Sequence, residues 1–436
     1  MRFKPGDRVR VVKDDVVYEG IVLPKTEFSS EDIIMLKLDN GYNVGLSVED
    51  AQVEVLNENV VSFEFEEPSQ TFFRGGGNLR ISFLSTGGTI VSKVDYETGA
   101  VKPAITAAEL VDMVPDFKNQ VSELEVLEVY RLFSEDLTPK IWEELSFEVA
   151  KRVKSGVDGV LIAHGTDTMT YTAAALAFSL RNLPIPIVIV GAQRSSDRPS
   201  TDAVLNLKAS LKVFTEAPFG EVVVSMHGHT SDEYVLIHRG VKVRKMHSSR
   251  RDAFQSINDV PLAKVVFPSM EFKLINDRYI PRARLEDFEL INRFSDEVAL
   301  IKFYPGFECD LIDGLIDKGY KGLVFEGTGL GHVRNACVDN IARASELGVL
   351  TVMTTQTLFG RVNLNVYSTG RRLIKAGVIP AEDMLPEVAF VKLSWLLGSY
   401  NHLSVDEIKR LFLRNLVNEI NYRHEDFIYP RWYHGD

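Results

Sequence analysis

Two threonines stand where chemistry is easiest to build. Thr89 follows an apolar run, Leu79 to Leu84, that reads as a strand and then turns at Gly87-Gly88. Thr166 follows a second such run, Leu161 to Ala163, that turns at His164-Gly165. Open α/β folds place ligands where strands end in turns at the carboxyl edge of a sheet, and glycine lets the backbone approach a ligand closely. A threonine hydroxyl attacks only when a neighbour takes its proton. Asp167, beside Thr166, and Lys245, in the basic segment Arg239 to Phe254, supply a carboxylate and an ammonium. Thr86, across Gly87-Gly88 from Thr89, is an equally possible nucleophile on the residues alone. Each stretch alone has a plainer reading: Thr-Gly-Gly-Thr as a turn, Asp167 as a helix N-cap, Lys245 as a solvated lysine.

The elements that must position these residues alternate along the chain. From Arg80 to about Val266, strands are expected over Leu79–Leu84, Leu124–Tyr130, Gly159–Ala163, Ile185–Gly191 and Glu221–Ser225. Helices are expected over Pro139–Ser155, Met169–Arg181 and Asp202–Phe214. Apolar strands separated by helices imply a parallel sheet covered on both faces. A polar loop, Gly191-Ala192-Gln193-Arg194 onward, follows the fourth strand. A second alternating set begins at Val298, and the end is helical, with Leu385–Leu397 and then a helix to about Tyr422 opened by a Ser404/Glu407 capping box.

Residues 1–70 differ. Short β-type runs around Val9, Val16–Val22, Ile33–Leu38 and Tyr42–Val44 are separated by turn signals, with Asn40-Gly41 marking a hairpin. They predict a small SH3-like β-barrel. The fold class is therefore α/β: a small N-terminal barrel followed by two α/β domains with parallel sheets. The boundaries are 1–70 for the barrel, 71–79 for a linker, 80–266 for the first α/β domain, 267–296 for a second linker and 297–436 for the last domain.

Charge narrows the partners. The chain carries a net charge of -12, which argues against direct grip on a polyanion. Residues 1–70 hold seven Lys/Arg against fifteen Asp/Glu, so the barrel suits docking to a protein. The charged start, Met1 to Arg10, is no secretory leader. The longest uncharged apolar run, Leu183 to Ala192, is half a membrane span and holds two prolines. Two cysteines, Cys309 and Cys337, form no metal spacing and suit a reducing compartment. A cytoplasmic protein with no membrane association is the expectation. His227-Gly228-His229 lacks an evident third ligand, so no metal is expected.

In this order and setting, TGGTI, HGTDT, GAQR and a lysine nine residues before Phe254 resemble the asparaginase/glutaminase family of amidohydrolases with threonine nucleophiles. The resemblance runs from about residue 80 to the C-terminus. It implies Thr89 as nucleophile, with Thr86 left to support the turn, Thr166 and Asp167 as the second catalytic threonine and its carboxylate, and Lys245 as their lysine. It implies Tyr96 as the tyrosine of the loop after TGGTI. Ser134-Glu135 stands where the family has a Ser-Gln pair for the substrate's α-carboxylate, and Gly88 and Gly165 line the substrate.

A barrel ahead of the TGGTI strand is similar to the branch of this family that serves as glutaminase subunits of archaeal tRNA-dependent amidotransferases. That branch implies L-glutamine as substrate, a homodimeric core within a heterotetramer, and a second subunit that binds tRNA(Gln). ATP and Mg would be used by that second subunit, with no cofactor here. A free-standing cytoplasmic L-asparaginase with an added domain is the alternative.

Overall fold

The structure is a computed structural model that describes all residues except 1–2, 5, 24–31, 40–41, 58–69, 89, 91, 95–100, 104–108, 110–111, 197–199, 425–427 and 430–436. The chain forms two compact units: Met1–Ser134 with Ile162–Thr166 and Val190–Lys208, and Glu135–Leu161 with Asp167–Ile189 and Ala209–Asp436.

In the first unit, five antiparallel strands form the N-terminal sheet: Arg8–Lys13, Val16–Leu23, Ile33–Leu38, Asn43–Ser47 and Gln52–Asn57. Alternating residues point to one side, so Val9, Val11, Val22, Ile34, Leu36 and Leu46 make a buried core. The Ile33–Leu38 and Asn43–Ser47 strands pair as the expected hairpin, although its Asn40-Gly41 turn lies outside the described residues. The strand Leu79–Ser85 runs parallel to Val121–Glu128. On its other side Val121–Glu128 pairs antiparallel with Thr71–Arg74. This corrects part of the 71–79 linker, because the β-forming Thr71-Phe72-Phe73 run outweighs the Gly75–Gly77 punctuation.

In the second unit, Pro139–Lys154 is an amphipathic helix that buries Trp142, Leu145, Val149 and Val153. Met169–Ser179 has no polar face: its alanines are buried all round. Small side chains let it lie close to Pro386–Ser399, where Tyr171 meets Phe390 edge-on and Phe178 stacks on Trp395 with centroids 5.6 Å apart. The strands Val222–His227, Tyr234–Arg239, Ala263–Val266 and Glu271–Leu274 form an antiparallel run. The last of these falls inside the expected 267–296 linker; its charged sequence hides a strand because most of its side chains are exposed. Val298–Lys302, Gly322–Gly327, Leu350–Thr355 and Ile379–Pro380 make a parallel sheet with intervening helices. The capping box at Ser404/Glu407 is formed, but its helix ends at Phe412 rather than near Tyr422. Beyond it Glu419 turns inward onto Lys392, and this buried pair overrides local helix propensity.

The two cysteines are not free thiols. Cys309 and Cys337 are joined, with Cα atoms 4.9 Å apart, and each immediately precedes a helix: Asp310–Asp317 and Val338–Glu346. A separation of 28 residues carries no sign of this approach in the sequence, so the cysteine count supports no argument about compartment. No helix among the described residues is long and apolar enough to cross a membrane.

Candidate active site

The first unit gathers three of the motif stretches at backbone level. Thr86 N and Oγ1 both donate to Ala163 O, at 3.0 and 3.1 Å, and Thr86 is buried. This tie gives Thr86 the turn-supporting role expected for it. His164 N donates to Val190 O at 3.0 Å, which brings the end of the HGTDT strand beside the strand that leads into GAQR. Leu132 N donates to Thr86 O at 3.2 Å, so the approach to Ser134 joins the same group.

Glycine is required at the crossing point. Gly88 has φ +90°, and a Cβ there would lie 2.5 Å from Gly165 N and 2.7 Å from the His164 carbonyl carbon. A Cβ on Gly165 would lie 2.8 Å from Ser134 Cβ and 2.9 Å from its Oγ. No side chain fits at such distances, so Gly88, Gly165 and Ser134 form one close-packed seam. Thr166, next in the chain, is buried at 7% exposure. The His164 imidazole is wholly buried; desolvation lowers its pKa to about 4, while a short contact from Nδ1 to Gly165 O works weakly the other way. It is neutral at physiological pH and fills space under the turn.

The GAQR loop is held by a residue that sequence reasoning passed over. Asp202 is fully buried, and its carboxylate accepts from Gln193 N at 3.0 Å and Arg194 N at 3.1 Å. Asn206 Nδ2 adds a bond to Gly191 O at 3.0 Å. The signal was present: a Ser/Thr-Asp pair directly before a helix is a capping pattern, here turned back onto the preceding loop.

In the second unit, Lys245 Nζ donates to Asp167 Oδ1 at 2.9 Å. These two predicted residues, 78 apart in sequence, are thus brought together. The lysine side chain is 12% exposed and the aspartate 68%, so a mostly covered lysine meets an accessible carboxylate. Asp167 lies just before the helix Met169–Ser179, whose cap position is taken by Thr168. Lys245 ends the strand Val243–Lys245, paired in a hairpin with Phe254–Ser256, and Lys245 is opposite Phe254. Glu135 is exposed. Thr89 and Tyr96 lie outside the described residues.

His227 Nε2 lies 3.0 Å from Arg251 Nη2 and 3.4 Å from Asp232 Oδ1. A guanidinium against that nitrogen competes with any metal. No group of three or more His, Cys, Asp or Glu among the described residues is assembled to hold a metal ion.

Comparison with known proteins follows the same division of the chain. Residues 80–277 match "Asparaginase, N-terminal", residues 297–412 match "Glutaminase/Asparaginase C-terminal domain", and residues 3–56 match "GatD N-terminal domain". The chain is 48% identical over 98% of its length to the D subunit of glutamyl-tRNA(Gln) amidotransferase from Sulfolobus acidocaldarius, covering 94% of that protein. It is 51% identical over 95% of its length to the same-named protein from Pyrococcus abyssi, again covering 94% of it. Among solved structures, the thermostable L-asparaginase from Thermococcus kodakarensis superposes with a TM-score of 0.69 at 30% identity, over 79% of this chain and 99% of that one. L-asparaginase I from Vibrio cholerae gives 0.68 at 28% identity, over 79% and 100%.

Proposed function

The chain belongs to the family of glutamyl-tRNA(Gln) amidotransferase D subunits, and from that premise we propose how its residues release ammonia from L-glutamine. The protein is the amidohydrolase subunit of a tRNA-dependent amidotransferase. The observation that carries this reading over a free asparaginase is the matched N-terminal module, residues 3–56, ahead of both asparaginase modules in one chain.

In the proposed reaction the Thr89 hydroxyl oxygen attacks the side-chain amide carbon of glutamine. Its proton passes to Tyr96 or to Thr166, either one held as an anion beside the Lys245 ammonium, and from there to the departing nitrogen. The C–N bond breaks, ammonia leaves and an ester to Thr89 remains. Water then attacks the ester and returns the proton to Thr89, releasing glutamate. Lys245 holds a phenolate or alkoxide by its charge. Asp167, whose side chain is 68% exposed, both orients Lys245 and receives the substrate's α-ammonium. Ser134, which stands against Gly165, meets the α-carboxylate through its hydroxyl; Glu135, a carboxylate where the family has a glutamine amide, would repel that group and is given no part in holding it.

The ammonia passes to a partner, the amidotransferase's E subunit, which holds tRNA(Gln) and uses ATP and Mg to convert Glu-tRNA(Gln) to Gln-tRNA(Gln). The net charge of -12 suits a subunit that leaves the tRNA to that partner. We place the assembly, a homodimer of this chain with two partners, in the cytoplasm. Measuring ammonia release from glutamine and from asparagine, with and without the partner and Glu-tRNA(Gln), tests the whole reading. Glutamine turnover that rises with the partner and vanishes in Thr89→Val is expected. Fast asparagine hydrolysis by the lone chain, unchanged by the partner, would return the protein to the free asparaginases.

A further inference from the structure

The hairpin that carries Lys245 is fastened along its other face. Lys242, immediately before the strand Val243–Lys245, is fully buried, and its Nζ donates to Asp383 Oδ2 at 2.7 Å. Arg244 Nε lies 3.1 Å from Glu387 Oε1. Lys242, in the bend before the strand, and Arg244 reach one set of partners, and Lys245, which strand alternation turns away from Arg244, reaches another. The first two therefore face carboxylates of the C-terminal segment, and the third faces Asp167. The return strand is fastened as well. Asn258, just past Phe254–Ser256, has φ +55° and donates from Nδ2 to Gly360 O and to Asp383 O, both at 3.0 Å. Gly360 N donates back to its Oδ1 at 3.0 Å. Asn421 completes the joint: its backbone N–H donates to Asp383 Oδ1 at 2.8 Å, and its Nδ2 donates to Asp383 Oδ2 at 2.7 Å and to Asn258 O at 2.6 Å.

A wholly buried lysine–aspartate pair is a poor way to add stability. Desolvating both ions offsets most of their attraction, and apolar side chains of the same volume do as well or better. What such a pair supplies is geometry. It satisfies its charges in one arrangement only, and this one sits three residues from Lys245.

We infer that Lys242 and Arg244, held by Asp383 and Glu387, are positioning residues that set Lys245 against Asp167, so that the C-terminal part of the chain tunes the amide-hydrolysing centre without touching substrate. The inference rests on Lys245 being catalytic, as proposed above. A displacement of about 1 Å in a catalytic group costs on the order of 100-fold in rate, so loosening this joint should lower turnover without loosening substrate.

The test uses the full chain with its partner subunit and reads kcat and KM for glutamine, together with the thermal midpoint. Two variants are informative: Arg244→Gln, at a partly exposed position that folding tolerates, and Lys242→Met/Asp383→Asn, which removes both buried charges together and keeps an acceptor for Asn421. Each is expected to lower kcat by about 10-fold or more, with KM within about 3-fold. Arg244→Lys, which restores a cation to Glu387, should recover most of the loss. The same changes made on a Lys245→Met background should cost less than about 2-fold more, because residues that act through Lys245 have nothing left to position. The inference is overturned if kcat stays within about 2-fold of the parent, or if the loss is equally large on the Lys245→Met background. If Lys245→Met alone keeps full turnover, the catalytic assignment falls first and the inference falls with it.

Discussion

Replacing Lys245 by methionine should separate activity from stability sharply. Its ammonium lies 2.9 Å from Asp167 Oδ1, but the Asp167 side chain is 68% exposed. At that distance the attraction is about 1.4 kcal/mol in a medium like water. Holding the two side chains together and screening by salt remove part of it, leaving roughly 0–1 kcal/mol for an exposed pair of this kind. Methionine matches the apolar stem of lysine, so packing changes little. The thermal midpoint should fall by no more than about 4 °C. Turnover should fall much further, by about 10²–10⁴-fold, the range for losing a group that manages proton transfer. Differential scanning calorimetry and ammonia release from glutamine on the same preparation read both quantities. Glutamine turnover within about 3-fold of the parent, with the midpoint unchanged, would refute the role given to Lys245. A large fall in midpoint would refute the claim that the pair is kept for chemistry rather than for structure.

Two further outcomes follow from buried positions. Gly88→Ala would place a Cβ 2.5 Å from Gly165 N at φ +90°, so it should cost at least about 1–3 kcal/mol of strain and remove glutamine turnover, read by chemical denaturation and ammonia release. The buried imidazoles give a pH signature: burial lowers His164 to about 4 and His238 to about 3, from an ordinary 6.5. Between about pH 4 and 6.5 the unfolded chain binds these protons and the folded chain does not, so stability falls with falling pH, by up to about 1.4 kcal/mol per pH unit for each histidine. His238→Asn should flatten the plot of urea midpoint against pH by roughly half of that combined slope; an unchanged slope would mean that His238 is solvated.

Much of the architecture was readable because apolar runs and turn residues agree. Gly159–Ala163 begins and ends where its sequence says, and the capping box at Ser404/Glu407 forms. The misses share a cause. Thr71–Arg74 and Glu271–Leu274 are edge strands with exposed faces, so their composition resembles linker, and only pairing with Val121–Glu128 and Ala263–Val266 makes them strands. The tail beyond Phe412 keeps helical composition but is bent by Glu419, which accepts from Leu416 N and Val417 N as well as from Lys392. The Lys245–Asp167 pair was legible only through the family resemblance, since nothing local ties residues 78 apart. Asp202 and Asp383 were passed over because a buried carboxylate that binds backbone or lysine looks, in sequence, like any solvated aspartate.

Three lysine–carboxylate pairs in the second unit show why residue type alone cannot single out the lysine proposed for catalysis. Lys245 with Asp167, Lys242 with Asp383 and Lys392 with Glu419 bring the same two groups together. In the last two pairs both side chains are buried to within 1%. Neither can exchange a partner or a proton with a bound substrate, because no face of either ion is open. Each is committed to one geometry, and removing one member would strand a charge at a cost of about 3–5 kcal/mol. Of the three, only Lys245 pairs a mostly covered side chain, 12% exposed, with a carboxylate side chain still open to solvent at 68%. That asymmetry leaves the Asp167 carboxylate accessible while it holds Lys245, as the proposed role requires and a fully buried pair cannot provide. Burial of the partner, rather than of the lysine, therefore distinguishes this pair from the two that are closed to solvent.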